Sequence, residues 1–330
     1  MGLARDFIFW LSQKKKITDA IARRGMRHGF ARRFVAGETL EEALAASAGL
    51  CKAGRRVSLN HLGENVTTRE EAEGVKRSYV EEVRALHTAG LDGNISIKLT
   101  QLGLDLDRSL CERLTMEIAA AAAGLGRSIE MDMEGTPCTD VTLDIFEAVR
   151  RRYDDVCLAI QAYLFRSEKD IERLAPLRPK LRLVKGAYRE PPEHAMQRKS
   201  GVDAAYRRLL EKLLDGRFFP AIATHDPTMQ AYAKALIRDR KIPKDRYEFQ
   251  MIYGVRRDLQ EQVVREGHAL RVYVPFGTEW CPYFMRRLAE RPANAWFVVR
   301  SLVVEGMKPQ IKREGVDCRE SGKERSAGNL

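Results

Sequence analysis

The sequence predicts an α/β protein with a closed (β/α)8 barrel, and two patterns predict it. Eight short apolar runs with the length of buried strands recur between Val57 and Val274, and a segment with helical spacing follows each run. Regular alternation of strands and helices is typical of parallel sheets that are covered by helices. Eight such units, in a barrel of about 250 residues, favour closure. The alternative is an open, doubly wound sheet.

The candidate strands are bounded by turn residues and helix start signals. They cover residues 57–62, 95–99, 129–133, 156–164, 181–185, 221–224, 247–252 and 271–274. The candidate helices cover residues 69–89, 108–123, 139–152, 168–175, 202–214, 228–238, 256–267 and 280–291. Thr68, Thr139 and Ser167 are suited to cap three of these helices.

The regions outside the alternating pattern have a different character. Thr39 and Glu42 form a capping-box pattern ahead of a helical apolar repeat. We therefore expect an N-terminal helical arm over residues 1–54, the barrel over 55–305 and a charged C-terminal tail over 306–330.

The charge of the chain suggests an anionic partner. Among 330 residues, 57 are Lys or Arg and 46 are Asp or Glu, which gives a formal net charge of +11. Residues 1–35 contain nine basic and two acidic residues, a net charge of +7. A basic arm of this kind suits peripheral contact with an anionic membrane or nucleic acid, although it is also typical of a solvated helix face.

Several functional classes lack their sequence signals. The six cysteines are scattered without a CxxC pair, and the apolar run at residues 7–11 is far shorter than the roughly 20 residues of a membrane span. We therefore expect a cytoplasmic protein with no zinc site, disulfide framework or signal peptide. Gly-rich nucleotide loops and a GxSxG motif are also missing, which favours a redox or lyase barrel.

Polar residues cluster at the carboxyl ends of the candidate strands. Buried strands rarely carry ionisable residues, and the active sites of (β/α)8 barrels lie at this face. The sequence therefore predicts an active site there. Its candidate residues are Glu64, Lys98, Asp132, Glu134, Gln161, Arg182, Lys185, Tyr188, Thr224, His225, Asp226, Gln250 and Tyr273.

Several of these residues lie in motifs that resemble the FAD-dependent proline dehydrogenase family. The motifs are residues 182–188 (RLVKGAY), 271–277 (RVYVPFG) and 283–287 (YFMRR), with further similarity at 32–37, 96–103, 223–226 and 247–251. The resemblance runs from about residue 30 to residue 305 and is closest to the single-function bacterial form. It implies a distorted barrel with the final helix over the active site. It also implies oxidation of L-proline to Δ1-pyrroline-5-carboxylate, with hydride transfer to flavin N5 and electrons passed to a membrane quinone.

The resemblance also implies roles for individual residues, with no metal. The catalytic residues would be Asp132 and Arg182, with Arg182 near flavin N5 and Asp132 holding Lys98 in place. The substrate-binding residues would be Lys98, Tyr273, Tyr283, Arg286 and Arg287. The FAD-binding residues would be Met133, Gln161, Lys185, Gly186, Ala187, Thr224 and His225.

Three positions depart from the family pattern. Arg189 stands where many members have Trp, and Asn60 and His61 stand where an Asp and an aromatic or aliphatic residue are expected. The Arg189 departure puts one flavin-stacking contact in question.

Other functions stay open from the residues alone. Lys98 or Lys185 could form a Schiff base in a lyase or aldolase, and the net charge could serve a nucleic-acid or membrane-surface binding module. The second alternative does not explain the polar strand ends, so we expect L-proline and a quinone as partners and no nucleic acid. The oligomeric state, a homo-oligomer included, stays open.

Overall fold

The computed structural model describes residues 31–63 and 66–280, and eight parallel strands form a closed barrel within them. The strands are β1 (Arg56–His61), β2 (Gly93–Ile97), β3 (Ile129–Met131), β4 (Val156–Gln161), β5 (Lys180–Val184), β6 (Phe219–Ala223), β7 (Glu248–Ile252) and β8 (Leu270–Phe276). Strand β1 pairs with both β2 and β8, with Val57 opposite Gly93 and Val272. This closure confirms the barrel and excludes the open sheet.

One helix precedes the barrel and seven connect successive strands in the described part of the chain. They are α1 (Leu40–Lys52), α2 (Arg69–Thr88), α3 (Arg108–Gly124), α4 (Thr136–Arg150), α5 (Ser167–Leu174), α6 (Lys199–Leu213), α7 (Pro227–Asp239) and α8 (Arg257–Arg265). Residues 281–291 of the predicted final helix lie outside the described residues, as do residues 1–30 of the predicted arm and the predicted tail.

Three strands end at least two residues earlier than the apolar pattern predicts. Strands β2, β3 and β4 end at Ile97, Met131 and Gln161. Hydrogen bonds continue briefly beyond them, since Asp132 N donates to Ile97 O at 2.9 Å, but Leu164 N turns back to Gln161 O at 3.2 Å. At these points the backbone leaves the ladder to reach the next helix. The polar residues that follow therefore lie in loops at the carboxyl end of the barrel, which we call its mouth.

Helix α4 begins at Thr136, so the predicted start near Thr139 is wrong. The N-cap is Gly135, which has no side chain to cap the helix. The Glu190 carboxylate accepts hydrogen bonds from Thr136 N at 2.9 Å and from the Thr136 hydroxyl. Pro137 fits the first turn because its missing N–H would have no helical acceptor. A residue distant in sequence therefore supplies the cap.

The starts of α1 and α2 follow local sequence more closely. Thr68 and Glu71 form a complete capping box at α2. At α1 the box is incomplete, because the Glu42 carboxylate accepts from Glu38 N rather than from its Thr39 partner. The predicted cap at Ser167 is wrong, because α5 includes Ser167 as its first residue and has Arg166 as the N-cap. Helix α6 begins at Lys199, earlier than the predicted start at residue 202.

The apolar core lies between the outer face of the barrel and the helices. Leu59 and Ile97 are fully buried on the strands, and Tyr79 and Leu86 are fully buried on α2. None of the helices in the described ranges is long and apolar enough to cross a membrane. The same ranges contain no cluster of side chains that could hold a metal ion.

The segment before α1 packs against the carboxyl end of the barrel. Ala36 N donates to Pro275 O at 2.8 Å, and Gly277 N donates to Gly37 O at 3.0 Å. Gly254, just after β7, has φ +72°, and a Cβ there would lie 1.6 Å from Arg33 O. Only a residue without a side chain allows this approach.

We expect Gly254→Ala to destabilise the protein more than Gly90→Ala. Gly90 also has a positive φ, of +64°, but no atom lies within 4 Å of a Cβ built there. Both substitutions strain a left-handed backbone by about 1–2 kcal/mol, and the clash at Gly254 adds about 1–3 kcal/mol. Urea unfolding measures both, and equal losses would contradict the close packing of this segment.

Candidate active site

Charged side chains occupy the interior of the barrel in place of the usual branched apolar layers. Glu130 and Glu248 are fully buried. Arg271 Nε and Lys180 Nζ each lie 2.9 Å from Glu248 Oε1. Gln250 Nε2 donates to both carboxylates at 2.8 Å. Buried charges are tolerated when they are paired and hydrogen-bonded in this way.

The pairing keeps Glu248 and Arg271 ionised. Burial would raise the pKa of Glu248, but Arg271 and Lys180 outweigh burial and hold the pKa well below its usual range. Burial would lower the pKa of Arg271, but Glu248 and Glu130 raise it. Glu248 and Arg271 therefore form a stable ion pair beneath the mouth of the barrel.

Arg182 connects this layer to the mouth of the barrel. Its Nη1 donates to Glu130 Oε2 at 2.8 Å, and its Nη2 donates to Asp132 Oδ1. Asp132 also accepts hydrogen bonds of 2.8 Å from Ser96 Oγ and Tyr273 Oη. The Arg182 guanidinium lies 5.5 Å from the centroid of the Tyr273 ring. Two carboxylates and an aromatic ring thus fix the orientation of this arginine.

Lys98, directly after β2, reaches the same carboxylate. Its Nζ lies 3.3 Å from Asp132 Oδ2 and donates to Asn60 Oδ1 at 2.6 Å. Burial would raise the pKa of Asp132, but Arg182 and Lys98 outweigh it and hold this pKa well below its usual range. The structure therefore contains the expected contact between Asp132 and Lys98.

Gln161, at the end of β4, joins two loops of the mouth. Its Nε2 donates to Glu134 O at 2.9 Å, and its Oε1 accepts from Ala187 N at 3.4 Å. The Glu134 carboxylate accepts from Thr100 Oγ1 at 2.6 Å, and burial raises the pKa of Glu134. The loops after β2, β3 and β5 are therefore linked.

Lys185, after β5, forms ion pairs with two helices. Its Nζ donates to Asp203 of α6 and, at 2.7 Å, to Asp226. Asp226 also caps α7 by accepting from Thr228 N at 3.0 Å. Burial would raise the pKa of Asp226, but Lys185 outweighs it and lowers this pKa to about 2. Sequence reasoning missed Asp203, because an acidic residue near the start of a helix looks like a solvated one.

Gly186 allows a close approach that no other residue permits. Its φ is +121°, and a Cβ there would lie 2.2 Å from the Tyr163 ring. In the loop after β6, His225 Nε2 accepts a hydrogen bond of 2.8 Å from Ile252 N, so this nitrogen carries no proton. Met133 and Thr224 are buried near these loops at the mouth.

Four of the predicted site residues lie outside the described residues, namely Glu64, Tyr283, Arg286 and Arg287. Tyr188 is exposed in the loop after β5.

Two of the positions that depart from the family pattern have different surroundings: Arg189 is exposed, and His61 packs against other side chains. Arg189 is exposed in the loop after β5. His61 stacks on Phe276, and its Nδ1 lies 3.2 Å from Glu82 Oε1.

The charged layer of Glu130, Glu248, Lys180 and Arg271 was missed by sequence reasoning. A signal was present, because Glu130 and Asp132, like Glu248 and Gln250, alternate with apolar residues and so share the inner face of a strand.

Comparison with known proteins places this site in a family. The family model for proline dehydrogenase matches residues 43–300. The chain belongs to the proline dehydrogenase family. Proline dehydrogenase 1 of Bacillus subtilis is 38% identical over 302 residues, which cover 91% of this chain and 99% of that protein. Proline dehydrogenase of Deinococcus radiodurans is 37% identical over 306 residues, which cover 91% of this chain and 98% of that protein.

Solved structures of proline utilization A (PutA) share the barrel. PutA of Bdellovibrio bacteriovorus, inactivated by N-propargylglycine, matches with a TM-score of 0.79 at 23% identity over 92% of this chain. A PutA variant of Bradyrhizobium japonicum matches with a TM-score of 0.71 at 26% identity over 84% of this chain. This chain spans only 38% and 32% of those two longer proteins.

We expect Asp132→Asn to destabilise this member of the proline dehydrogenase family by about 3–5 kcal/mol at neutral pH, because it leaves Arg182 and Lys98 without their shared carboxylate. The pKa of Asp132 is depressed in the folded state, so its contribution is complete above the ordinary value of about 3.9 and declines as the pH falls toward the folded value. The difference from wild type should therefore shrink below about pH 4.

Urea unfolding at several pH values measures this difference. Asp105→Asn changes an exposed carboxylate and serves as the control, with a change within about 0.5 kcal/mol. A difference for Asp132→Asn that stays constant from pH 7 to about pH 3 would contradict the assigned ion pairing.

Proposed function

We propose that the protein is a proline dehydrogenase that oxidises L-proline to Δ1-pyrroline-5-carboxylate, the first step of proline breakdown to glutamate, with FAD as cofactor and a quinone as electron acceptor. Family membership supports this substrate. The observation that carries the proposal is the cluster of Lys98, Asp132, Arg182 and Tyr273 at the mouth of the barrel. It combines cations for a carboxylate with an aromatic surface for an apolar ring.

The loops at the mouth fit a flavin dinucleotide. The Tyr163 ring fills the space of a side chain at Gly186, so the glycine fixes the path of the loop after β5, on which the predicted cofactor residues Lys185 and Ala187 lie. The residues that would hold FAD are Met133, Gln161, Lys185, Gly186, Ala187, Thr224 and His225. When bound, FAD supplies the hydride acceptor.

The contacts give some of these residues a structural role. The side chains of Gln161, Lys185, Thr224 and His225 already bond protein groups, so we assign to them the shaping of the loops. The backbone of 185–187 and the Met133 side chain would contact the cofactor.

The substrate would be held by charge at one end and by aromatic rings at the other. Lys98, together with Arg286 and Arg287, would bind the carboxylate, because planar guanidinium groups suit bidentate binding. Tyr273 and Tyr283 would line the ring of proline. Hydride transfer requires close alignment of the substrate with its hydride acceptor more than it requires an acid or base. The hydrogen bond from Tyr273 to Asp132 would keep the Tyr273 ring in position for this alignment.

Arg182 would act through its positive charge on the flavin rather than as a proton donor. A cation beside the flavin favours its electron-rich reduced form. The carboxylates of Glu130 and Asp132 hold the guanidinium from two sides. The arginine therefore needs no rearrangement during the reaction.

A membrane quinone would require the enzyme to approach a membrane surface. Residues 1–35 carry a net charge of +7, which suits the anionic inner face of the cytoplasmic membrane. We therefore propose a cytoplasmic enzyme that contacts this membrane peripherally through its N-terminal arm.

The Schiff-base alternative finds no support in the lysine environments. Lys98 lies between Asp132 and Asn60, and Lys185 lies between Asp203 and Asp226. An amine nucleophile would have to leave these contacts before it could attack a carbonyl.

An absorption spectrum tests the proposal directly. The purified protein is expected to show the bands of oxidised flavin, which L-proline bleaches without oxygen and a soluble quinone restores. Purified protein that is colourless and binds no added FAD would exclude the proposed function.

We expect Arg286→Lys to raise KM for proline by about tenfold or more while the flavin stays bound, because lysine cannot bind a carboxylate bidentately. Arg257→Lys, at an exposed position of α8, is the matched control and should leave KM unchanged. Loss of flavin from Arg286→Lys would instead assign this residue to the cofactor.

A further inference from the structure

Asn60 is a buried polar residue at the mouth, and the family resemblance gives it no role. It lies on β1, opposite Ser96 of β2 and Pro275 of β8, and it is fully buried. Its Oδ1 accepts a hydrogen bond of 2.6 Å from Lys98 Nζ. An ammonium group can only donate, so this contact fixes the amide with its oxygen toward Lys98.

The nitrogen of the same amide is a donor without an acceptor in the described part of the chain. Asn60 Nδ2 has no hydrogen-bond partner within residues 31–63 and 66–280. A buried polar group without a partner is rare and costs free energy. A donor placed beside a cation suits the oxygen of an anion.

The neutral charge of Asn60 matters because Asp132 is the one carboxylate within 4 Å of Lys98 Nζ among the described residues, and the Glu82 and Glu134 carboxylates act on Lys98 from farther away. Asp132 lies 3.3 Å from Lys98 Nζ through Oδ2, while its Oδ1 is bonded to Arg182. The resemblance leads us to expect Asp at position 60, which would place Lys98 between two carboxylates. Asparagine keeps the acceptor for Lys98 without adding a negative charge.

We propose that Asn60 is a positioning residue for the substrate carboxylate. Its oxygen holds Lys98, and its neutral amide leaves the positive charge of Lys98 to attract the carboxylate. The inference rests on the proposed function and adds to it the charge at position 60 as a determinant of carboxylate affinity.

Asn60→Asp separates charge from shape, because the two side chains have nearly the same size and both accept from Lys98. The probes are L-proline, cyclopentanecarboxylate (a carboxylate without the amine) and pyrrolidine (an amine without the carboxylate). We expect KM for proline and Ki for cyclopentanecarboxylate to rise about tenfold, with kcat within about twofold. Ki for pyrrolidine should stay constant or fall.

Asn94→Asp is the matched control. Asn94 is also buried, two residues before Ser96 on β2, and its Nδ2 donates to Ser128 Oγ at 3.0 Å. The substitution adds the same carboxylate deeper in the barrel, so it should lower stability without changing KM. A rise in KM of equal size in both variants, or a parallel rise for cyclopentanecarboxylate and pyrrolidine, would overturn the proposal.

Asn60→Ala keeps the proposal testable if Asn60→Asp does not fold. It removes the acceptor that holds Lys98, so KM for proline and Ki for cyclopentanecarboxylate should rise several-fold while Ki for pyrrolidine stays constant. Unchanged values for all three compounds would overturn the role of Asn60.

A thermal shift separates this inference from the proposed function, because it needs no turnover. Cyclopentanecarboxylate should raise the melting temperature of the wild type and not that of Asn60→Asp. A wild type that is stabilised but does not oxidise proline would overturn the proposed function alone. An equal shift in both proteins would overturn the role of Asn60 alone.

Discussion

The compensation of buried charge inside the barrel is the constraint on which the site depends. Arg182 lies between the carboxylates of Glu130 and Asp132, and its charge helps to hold the pKa of the buried Asp132 well below its usual range. Asp132 in turn orients Lys98 and Tyr273. The residues of this network come from different strands. Closure of the barrel is therefore a requirement of the site as well as of the fold.

The loops at the mouth are fixed by polar contacts rather than by an apolar core. Gln161 joins the loops after β3 and β5, and Glu190 caps α4 from the loop after β5. Lys185 joins α6 to the start of α7. Each contact spans many residues in sequence, so each one couples two strand–helix units. A site built this way holds its geometry because moving one loop breaks the hydrogen bonds of another.

The sequence was sufficient to predict the barrel and the position of the site, since strand count, alternation and polar strand ends are local patterns. It could not predict the partners. From the sequence, Glu190 is predicted to be a loop residue and Asp203 a residue on a helix surface. The fold brings Glu190 to Thr136 and Asp203 to Lys185, and only these contacts give the two residues their roles. Likewise, the strand register decides that Glu130 pairs with Arg182.

The cations of the described site differ in how far neighbouring carboxylates neutralise them, and this difference bears on the affinity for a carboxylate. The interior cations Lys180, Arg182 and Arg271 are bonded to Glu130, Asp132 and Glu248, so they have little net field to offer a substrate. Lys98 differs because it shares Asp132 with Arg182 and has a neutral amide as its other neighbour. In the described part of the site, affinity for a carboxylate therefore depends less on the number of cations than on how incompletely this one lysine is neutralised.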